Sequence, residues 1–381
     1  VAKRNARKGG RQEARTPRRR VRRRAQPARA WRRDAGRGLA RVLLVLVLLA
    51  GAVAWWAAGR YQRFADGPIE GLAPGSSLVL ERGDSFATML RKLREAGAEG
   101  GHDTEWRVLA RQTGAAGRLQ AGEYALEPGL TPRGLLERMR DGKVVRRRFT
   151  IVEGWNIRTL RAALARVEAL RHETGDMDDA ALMRALGHPG QHPEGRFLPE
   201  TYDYVRGDSD LDVLRRAHAA MERALDAAWE ARAPDLPLQS KDEALVLASI
   251  VEKETGIAEE RDAIAGVFVR RLRIGMRLQT DPTVIYGLGE RYDGNLRKVD
   301  LLTDTPYNTY TRDGLPPTPI AMPGKAALHA ATHPAAGDAL YFVAIGDGSG
   351  RHVFTRSLSE HQLAVREYLR NYRARRKAEA R

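Results

Sequence analysis

Apolar residues are arranged along this chain in three ways. From Val42 to Gly59 they run without a single charge, ending in Trp55-Trp56-Ala57-Ala58-Gly59. A run of about 18 residues is the lower end of what spans a bilayer core. Further on, short runs of strand character alternate with helical periods. Ser77-Leu78-Val79-Leu80-Glu81 reads as a strand and Gly83-Asp84-Ser85 as a turn with an N-cap. A helix follows with Phe86, Met89, Leu90 and Leu93 inward. A second helix is expected near Thr104–Thr113, a closing strand at Ala121–Leu126, and a helix capped by Thr131 with Pro132 first. The plan recurs weakly at Phe149–Gly154 and Asn156–Leu164. From 165 to 240 the pattern is mainly helical, with one long helix over Leu211–Ala231. The expected class is α+β.

The third arrangement holds the chemistry. In Leu245–Thr255 a helical period places Leu247, Ile250, Val251 and Glu254 on one face. Glu252, two residues away and about 200° round the helix, falls among Ala248, Ser249 and Thr255. Glu254 therefore points where the apolar side chains point. A carboxyl group in an apolar wall has its charged form disfavoured, so its pKa rises and it can hold a proton near neutral pH. A general acid needs that property. The competing reading is an ion pair at a core edge, with Arg261, Arg270 or Arg271 as partner.

Charge changes the picture at one end only. The 381 residues carry a formal +17, but residues 1–41 hold 17 Lys and Arg against Glu13 and Asp34. The remainder is nearly neutral. Segment 1–41 is poor in large apolar residues, so it reads as a basic tail contacting anionic lipid headgroups and not as a nucleic-acid-binding domain. Basic residues before the apolar run, with Trp55, Trp56 and Tyr61 at its far end, predict an amino terminus in the cytoplasm and the bulk of the chain outside. Ala52-Val53-Ala54 also fits a signal-peptidase site; the long leader and the tryptophans beyond it favour an uncleaved anchor. The absence of cysteine excludes disulfides, thiolate metal sites and a Cys nucleophile.

The expected organisation is a tail (1–41), a membrane helix (42–59), a linker (60–76), a module (77–145) and a mainly helical connecting region (146–240). A catalytic domain (241–369) and a disordered tail (370–381) follow. A strand, a turn, two helices and a return strand resemble the LysM peptidoglycan-binding fold. Beyond the Glu254 helix, a second helix is expected at Ala263–Leu272, ended by Gly275. The loops after it are dense in Asn, Gln, Thr, Tyr and Asp, which suits a neutral polyhydroxylated ligand such as sugar. Neither a Walker-type loop nor a dinucleotide glycine turn occurs. His329 and His333 have metal-ligand spacing but lack a third ligand, so no metal and no cofactor is expected.

The run Ala248-Ser249-Ile250-Val251-Glu252-Lys253-Glu254-Thr255 resembles the endolytic murein transglycosylases of the YceG-like family. So do Glu259 with Arg261, Arg271-Leu272 with Gly275-Met276, Leu278-Gln279-Thr280-Asp281-Pro282-Thr283, Tyr307-Asn308-Thr309-Tyr310, Gly314-Leu315-Pro316-Pro317, Pro323-Gly324 and His333-Pro334. Glu194-Gly195-Arg196-Phe197-Leu198-Pro199-Glu200-Thr201-Tyr202 matches upstream, although Arg196, Leu198 and Glu200 depart from the residues the family often has. The resemblance implies an inner-membrane, single-span enzyme with a LysM-like module. It implies cleavage of the β-1,4 bond between N-acetylmuramic acid (MurNAc) and N-acetylglucosamine (GlcNAc) within glycan strands. It makes Glu254 the catalytic acid, and it alone implies association with cell-wall synthases.

One carboxyl group suffices for such a reaction, because the nucleophile is the sugar's own C6 hydroxyl. A hydrolase would need a second carboxylate, for which Asp281 is the candidate; the alternative is that Asp281 caps the turn before Pro282. Arg277, Gln279, Asp281, Tyr307 and Asn308 are the expected substrate-binding residues. Loop bonding competes with sugar contact for Arg277, Gln279, Tyr307 and Asn308. A non-catalytic, membrane-tethered peptidoglycan binder is the alternative of a different class.

Overall fold

A computed structural model describes residues 31–379, with side chains from residue 38 to 378. Most of the basic segment, residues 1–30, and the last two positions lie outside the described residues. The chain forms two units, 1–67 and 68–381. In the first, α1 spans Trp31–Asp66, and within it Gly38–Asp66 is long and apolar enough to cross a membrane, its most apolar 18-residue window having a mean hydropathy of 2.3. The helix starts inside the expected tail and continues through 60–66, where a linker was expected. Uninterrupted helix satisfies every backbone group that a bilayer could not.

The second unit begins with β1 (Ser77–Leu80), α2 (Phe86–Glu95), α3 (Asp103–Gln112), β2 (Gly122–Ala125) and α4 (Pro132–Arg140). β1 and β2 are antiparallel, with Leu78 opposite Tyr124. Ser85 and Thr131 cap α2 and α4 by accepting from Thr88 N and Gly134 N. Met89, Leu90, Leu93, Leu109, Leu135 and Met139 close the core beneath.

Next come β3 (Arg146–Thr150), α5 (Ile157–Leu164), α6 (Asp179–Leu186), β4 (Thr201–Val205) and α7 (Asp210–Glu230). β3 and β4 pair antiparallel, Phe149 opposite Tyr202. The connecting region, expected to be mainly helical, thus contains a sheet: the strand expected at Phe149–Gly154 lies a few residues earlier, as β3, and its partner β4 was not expected. Its strands alternate: Tyr202 and Tyr204 face a core with Leu160, Leu182 and Leu214, while Thr201 and Asp203 face out.

The remainder comprises α8 (Lys241–Glu254), α9 (Arg261–Arg273), α10 (Asp281–Leu288), α11 (Lys298–Leu302), α12 (Lys325–Thr332), β5 (Tyr341–Ala344), β6 (His352–Thr355) and α13 (Leu358–Glu379). α8 is the central helix: every residue from Ala244 to Val251 is buried, packed among α7, α9, α10 and α12. The β5–β6 hairpin turns through glycines at 346, 348 and 350, all with positive φ. The stretch 370–379, expected to fray, continues α13.

A buried ion cluster ties the 77–145 segment to the β3–β4 sheet. Glu123 is 4 % exposed. Its carboxylate accepts from Arg147 (2.7 and 3.0 Å), Arg206 Nε (2.8 Å) and Ser77 Oγ (2.8 Å). Burial opposes the charge, but the two arginines and the serine outweigh it and hold the pKa down at about 2, against 4.5 ordinarily. A depressed carboxylate stabilises the fold above its unfolded pKa, and that contribution disappears as pH falls from about 4.5 towards 2. Glu123→Gln is therefore expected to cost about 2–3 kcal/mol at neutral pH. The difference from the unaltered protein should shrink when urea unfolding is followed down to about pH 3; a pH-independent difference would contradict this account.

Candidate active site

α8 starts at Ser240, whose Oγ accepts from Glu243 N at 3.2 Å, and its last residue is Glu254. Thr255 is extended, so the helix does not carry on past Gly256 to Ala258. Glu254 therefore stands at the helix C-terminus, where the negative end of the macrodipole already disfavours an anion. α9 runs back alongside and ends at a left-handed Gly275. The segment Met276–Thr280 then returns to the end of α8. Gln279 has φ +49, a left-handed conformation that costs a non-glycine residue about 1 kcal/mol. Immediately after this bend Thr280 donates its hydroxyl hydrogen to Glu254 Oε1.

Glu254, Gln279, Thr280, Asp281 and Tyr310 line a cleft of about 410 Å³. Tyr341 and Phe342 of β5 and His361 of α13 contribute to the same lining. Tyr341 and His361 stack with ring centroids 5.1 Å apart. The Arg271 guanidinium lies 5.1 Å from the Tyr341 ring centre. Arg271 is 6 % exposed and donates to the carbonyls of Leu340 (2.7 Å), Leu278 (2.7 Å) and Arg277 (3.3 Å). It thus pins the 277–278 segment to the start of β5.

The Glu254 carboxyl is pushed up to about 7. Burial is the main cause, and the negative charge of Asp281 adds to it. The Thr280 hydrogen bond and the positive charge of Arg271 oppose the rise. Glu254 retains partial contact with the cleft while protein encloses its carboxyl group. It can hold a proton at neutral pH and still release it.

The expected substrate-binding residues divide. Gln279 and Asp281 are exposed and line the cleft. Asp281 Oδ1 accepts from Tyr310 OH at 2.6 Å. Arg277 is committed outside the cleft lining, to Asp313 (2.9 Å) and the Tyr310 carbonyl (3.1 Å). Tyr307 packs edge-on against Tyr286 and its hydroxyl meets Thr318 at 2.8 Å. Asn308 is completely buried. Its Nδ2 donates to the carbonyls of Asp300, Leu301 and Thr303, and its Oδ1 accepts from Tyr310 N. Asn308 organises its loop in place of a sugar contact, and Tyr307 is engaged with Tyr286 and Thr318. Thr280, Arg271, Tyr310, Tyr341 and His361 join the site without having been singled out as site residues. Thr280, Arg271 and Tyr310 lie inside the quoted motifs; Tyr341 and His361 carried no local signal.

Two further carboxylates are sheltered. Glu252 accepts from Gly324 N at 2.9 Å, and its pKa is raised by burial and by neighbouring Glu153. Glu194 is fully buried, accepting from Ile157 N and from Tyr286 OH (3.0 Å), and burial pushes it up to about 7. Neither belongs to the cleft lining. His329 and His333 stack on each other, and the His333 ring nitrogen meets the Ala231 carbonyl at 2.7 Å.

This geometry defines a protein class: a single, proton-holding carboxyl group in an open cleft of hydroxyls, amide and aromatic faces. The YceG-like family model matches residues 78–367. An endolytic murein transglycosylase of Bacillus subtilis is 33 % identical over 273 residues, covering 67 % of this chain and 74 % of the relative. Another of that description, from Streptococcus pneumoniae, is 30 % identical over 184 residues, covering 46 % of this chain and 32 % of the relative. A crystal structure of a putative YceG-like protein from Listeria monocytogenes is 27 % identical, with a TM-score of 0.47, covering 75 % of this chain and 97 % of that one. The chain belongs to the YceG-like family.

The raised Glu254 pKa carries a stability cost with a definite sign. The unfolded carboxyl ionises near 4.5 and the folded one near 7, so folding is penalised increasingly as pH rises between those values. Glu254→Gln removes the penalty. It is expected to stabilise the protein by about 2–3 kcal/mol above pH ~7.5 and hardly at all below pH ~4.5. Thermal melts across that range check this; a destabilised variant at alkaline pH would refute it.

Proposed function

We propose that this chain is an endolytic peptidoglycan lytic transglycosylase. It cleaves the MurNAc-β-1,4-GlcNAc bond within glycan strands and leaves 1,6-anhydro-MurNAc ends. The observation that carries the proposal is the Glu254 carboxyl, held up to about 7 at the wall of the cleft. Family membership and relatives described as endolytic murein transglycosylases support the substrate class.

In this mechanism protonated Glu254 gives its proton to the glycosidic oxygen as the bond from C1 of MurNAc to that oxygen breaks. GlcNAc leaves with a new hydroxyl. The Glu254 carboxylate then takes the proton of the C6 hydroxyl while that oxygen bonds to C1. The proton balance closes on one residue and no water is consumed. Ring closure within one sugar has the entropic advantage of an intramolecular reaction. Exposed Gln279 and Asp281 offer an amide and a carboxylate to sugar hydroxyls, and the Tyr341–His361 stack offers an aromatic face. Asp281 acts here as a hydroxyl acceptor and a nearby negative charge, and not as the base of a hydrolase.

The same proposal places α1 in the inner membrane as an uncleaved anchor, with the catalytic part on the periplasmic side. The 77–145 segment serves as a LysM-like glycan-binding module. Its two helices between paired strands, β1–α2–α3–β2, support that assignment. Wall synthases as partners follow from the family alone.

Digestion of purified sacculi followed by mass analysis of the released muropeptides tests the reaction. Anhydro ends are expected from the unaltered protein, none from Glu254→Gln, and unchanged wall binding by that variant. Asp281→Asn should lower the rate but keep the anhydro product. The rate should hold below pH ~7 and fall as pH rises through it, because only the protonated acid can donate. Ordinary reducing ends would indicate a hydrolase; full activity of Glu254→Gln would refute the assignment of Glu254, and no cleavage at all by the unaltered protein would leave a tethered wall binder.

A further inference from the structure

Thr280 is the N-cap residue of α10, yet its side chain makes no capping hydrogen bond. A threonine in that position usually accepts from the backbone two or three residues on. Here the hydroxyl is turned away from its own helix and donates to Glu254 Oε1. The diversion is built in by two more threonines. Thr283 Oγ1 donates to the Thr280 carbonyl at 2.7 Å. The Thr280 backbone N–H donates to Thr309 Oγ1 at 3.1 Å. Thr283 and Thr309 meet hydroxyl to hydroxyl at 2.9 Å. Since the Thr283 hydrogen is spent on the carbonyl, Thr309 must supply the hydrogen between the two. The result is a closed ring in which both backbone groups of Thr280 are held and both supporting hydroxyl hydrogens are used. Thr280, Thr283 and Thr309 are 3 %, 0 % and 2 % exposed. Thr283 and Thr309 are sealed from water, so the direction of each supporting donor is fixed.

We infer that Thr280, locked by Thr283 and Thr309, is a positioning residue that assigns the transferable proton to Glu254 Oε2. The inference rests on the proposed transglycosylase reading for its kinetic consequences, though not for its electrostatic one. With the Thr280 hydroxyl hydrogen on Oε1, that oxygen is occupied. Oε2, which has no hydrogen-bond partner among the described residues, carries the acidic proton. One oxygen then serves both halves of the reaction: Oε2–H protonates the leaving oxygen, and Oε2 afterwards accepts the proton of the C6 hydroxyl. Thr280 does not touch the sugar in this scheme. It also favours the carboxylate form, offsetting burial, so that the acid is not too weak to give up its proton.

Thr280→Val keeps the β-branched shape and removes only the hydroxyl. Because no helix cap is lost, the variant should melt close to the unaltered protein. Its kcat on sacculi should fall about 10- to 100-fold with KM little changed. The alkaline limb of its pH–rate profile should move up by about one to two units, the size of one lost hydrogen bond to a carboxylate. Thr280→Ser, which restores the hydroxyl, should recover both. A readout independent of turnover is the ¹³C carboxyl titration of Glu254 in the detergent-solubilised full chain, assigned by its loss in Glu254→Gln. The titration midpoint should rise in Thr280→Val and return in Thr280→Ser. An unmoved midpoint overturns the inference whatever the enzyme makes. A midpoint that moves as expected in a protein forming no anhydro ends upholds the positioning role and refutes the proposed reaction instead. Failure of Thr280→Ser to rescue in a folded variant also overturns it.

Discussion

Keeping one carboxyl group substantially protonated at neutral pH is the constraint around which this site is organised. Three features push Glu254 in that direction: enclosure by protein, a place at the last residue of α8, and the nearby charge of Asp281. Two features restrain it, the Thr280 hydroxyl and the Arg271 guanidinium. The balance matters more than any single contribution. An acid raised much further would not release its proton, and one left at 4.5 would be almost fully ionised at neutral pH. The restraints are themselves anchored, Thr280 by buried hydroxyls and Arg271 by three backbone carbonyls.

Such a balance requires a rigid platform, and α8 supplies it. Eight consecutive buried residues, Ala244 to Val251, leave this helix no solvent face between its first and last turns. The chain emerges from the core only at Glu252, Lys253 and Glu254. Glu252 turns to the start of α12 and Glu254 to the cleft. The wall opposite is steadied from further away. Tyr286 on α10 donates to Glu194, which also accepts from the first turn of α5. Glu194 sits beside Gly195, whose φ of +77 and contact with Pro319 exclude a side chain. Through Tyr286 the upstream segment therefore reaches the helix that begins with Asp281.

Much of this was legible in the chain. The N-caps at Ser85 and Thr131, the long helix over 211–231 and the uncharged run before Gly59 are local signals, and local physics fixes them. The polarity of the Glu254 position was legible too, but for an incomplete reason. The period singled out one apolar face, whereas Ala248 and Ser249 on the other side are equally buried. Periodicity cannot tell a half-buried helix from one packed all round. A strand near Phe149 was legible, but the β3–β4 pairing was hidden because the strands lie about fifty residues apart, and nothing local to Arg146–Thr150 announces Thr201–Val205 as its partner. Asn308 was misjudged for a related reason. An amide in a polar loop looks the same in sequence whether it faces a ligand or three carbonyls. Thr280 and Arg271 stood in plain view inside the motifs, but their parts depend on bonds to Glu254 and Leu340, which only the fold brings near.

The proposed reaction raises a question of design: why one carboxylate would suffice where many glycan-cleaving sites have two. A second ionisable acid serves to activate water or to attack the sugar. Neither is needed when the attacking oxygen belongs to the substrate and lies one carbon from its own ring. What the protein must then provide is a single acid that regains its proton at the oxygen from which it left. That places the burden on orientation. A carboxyl group free to rotate presents either oxygen; one held by a donor on Oε1 presents the other each time. The strained bend at Gln279, the uncapped start of α10 and the three buried threonines are all local departures from the most stable arrangement. Each makes sense as part of the support for that one donor.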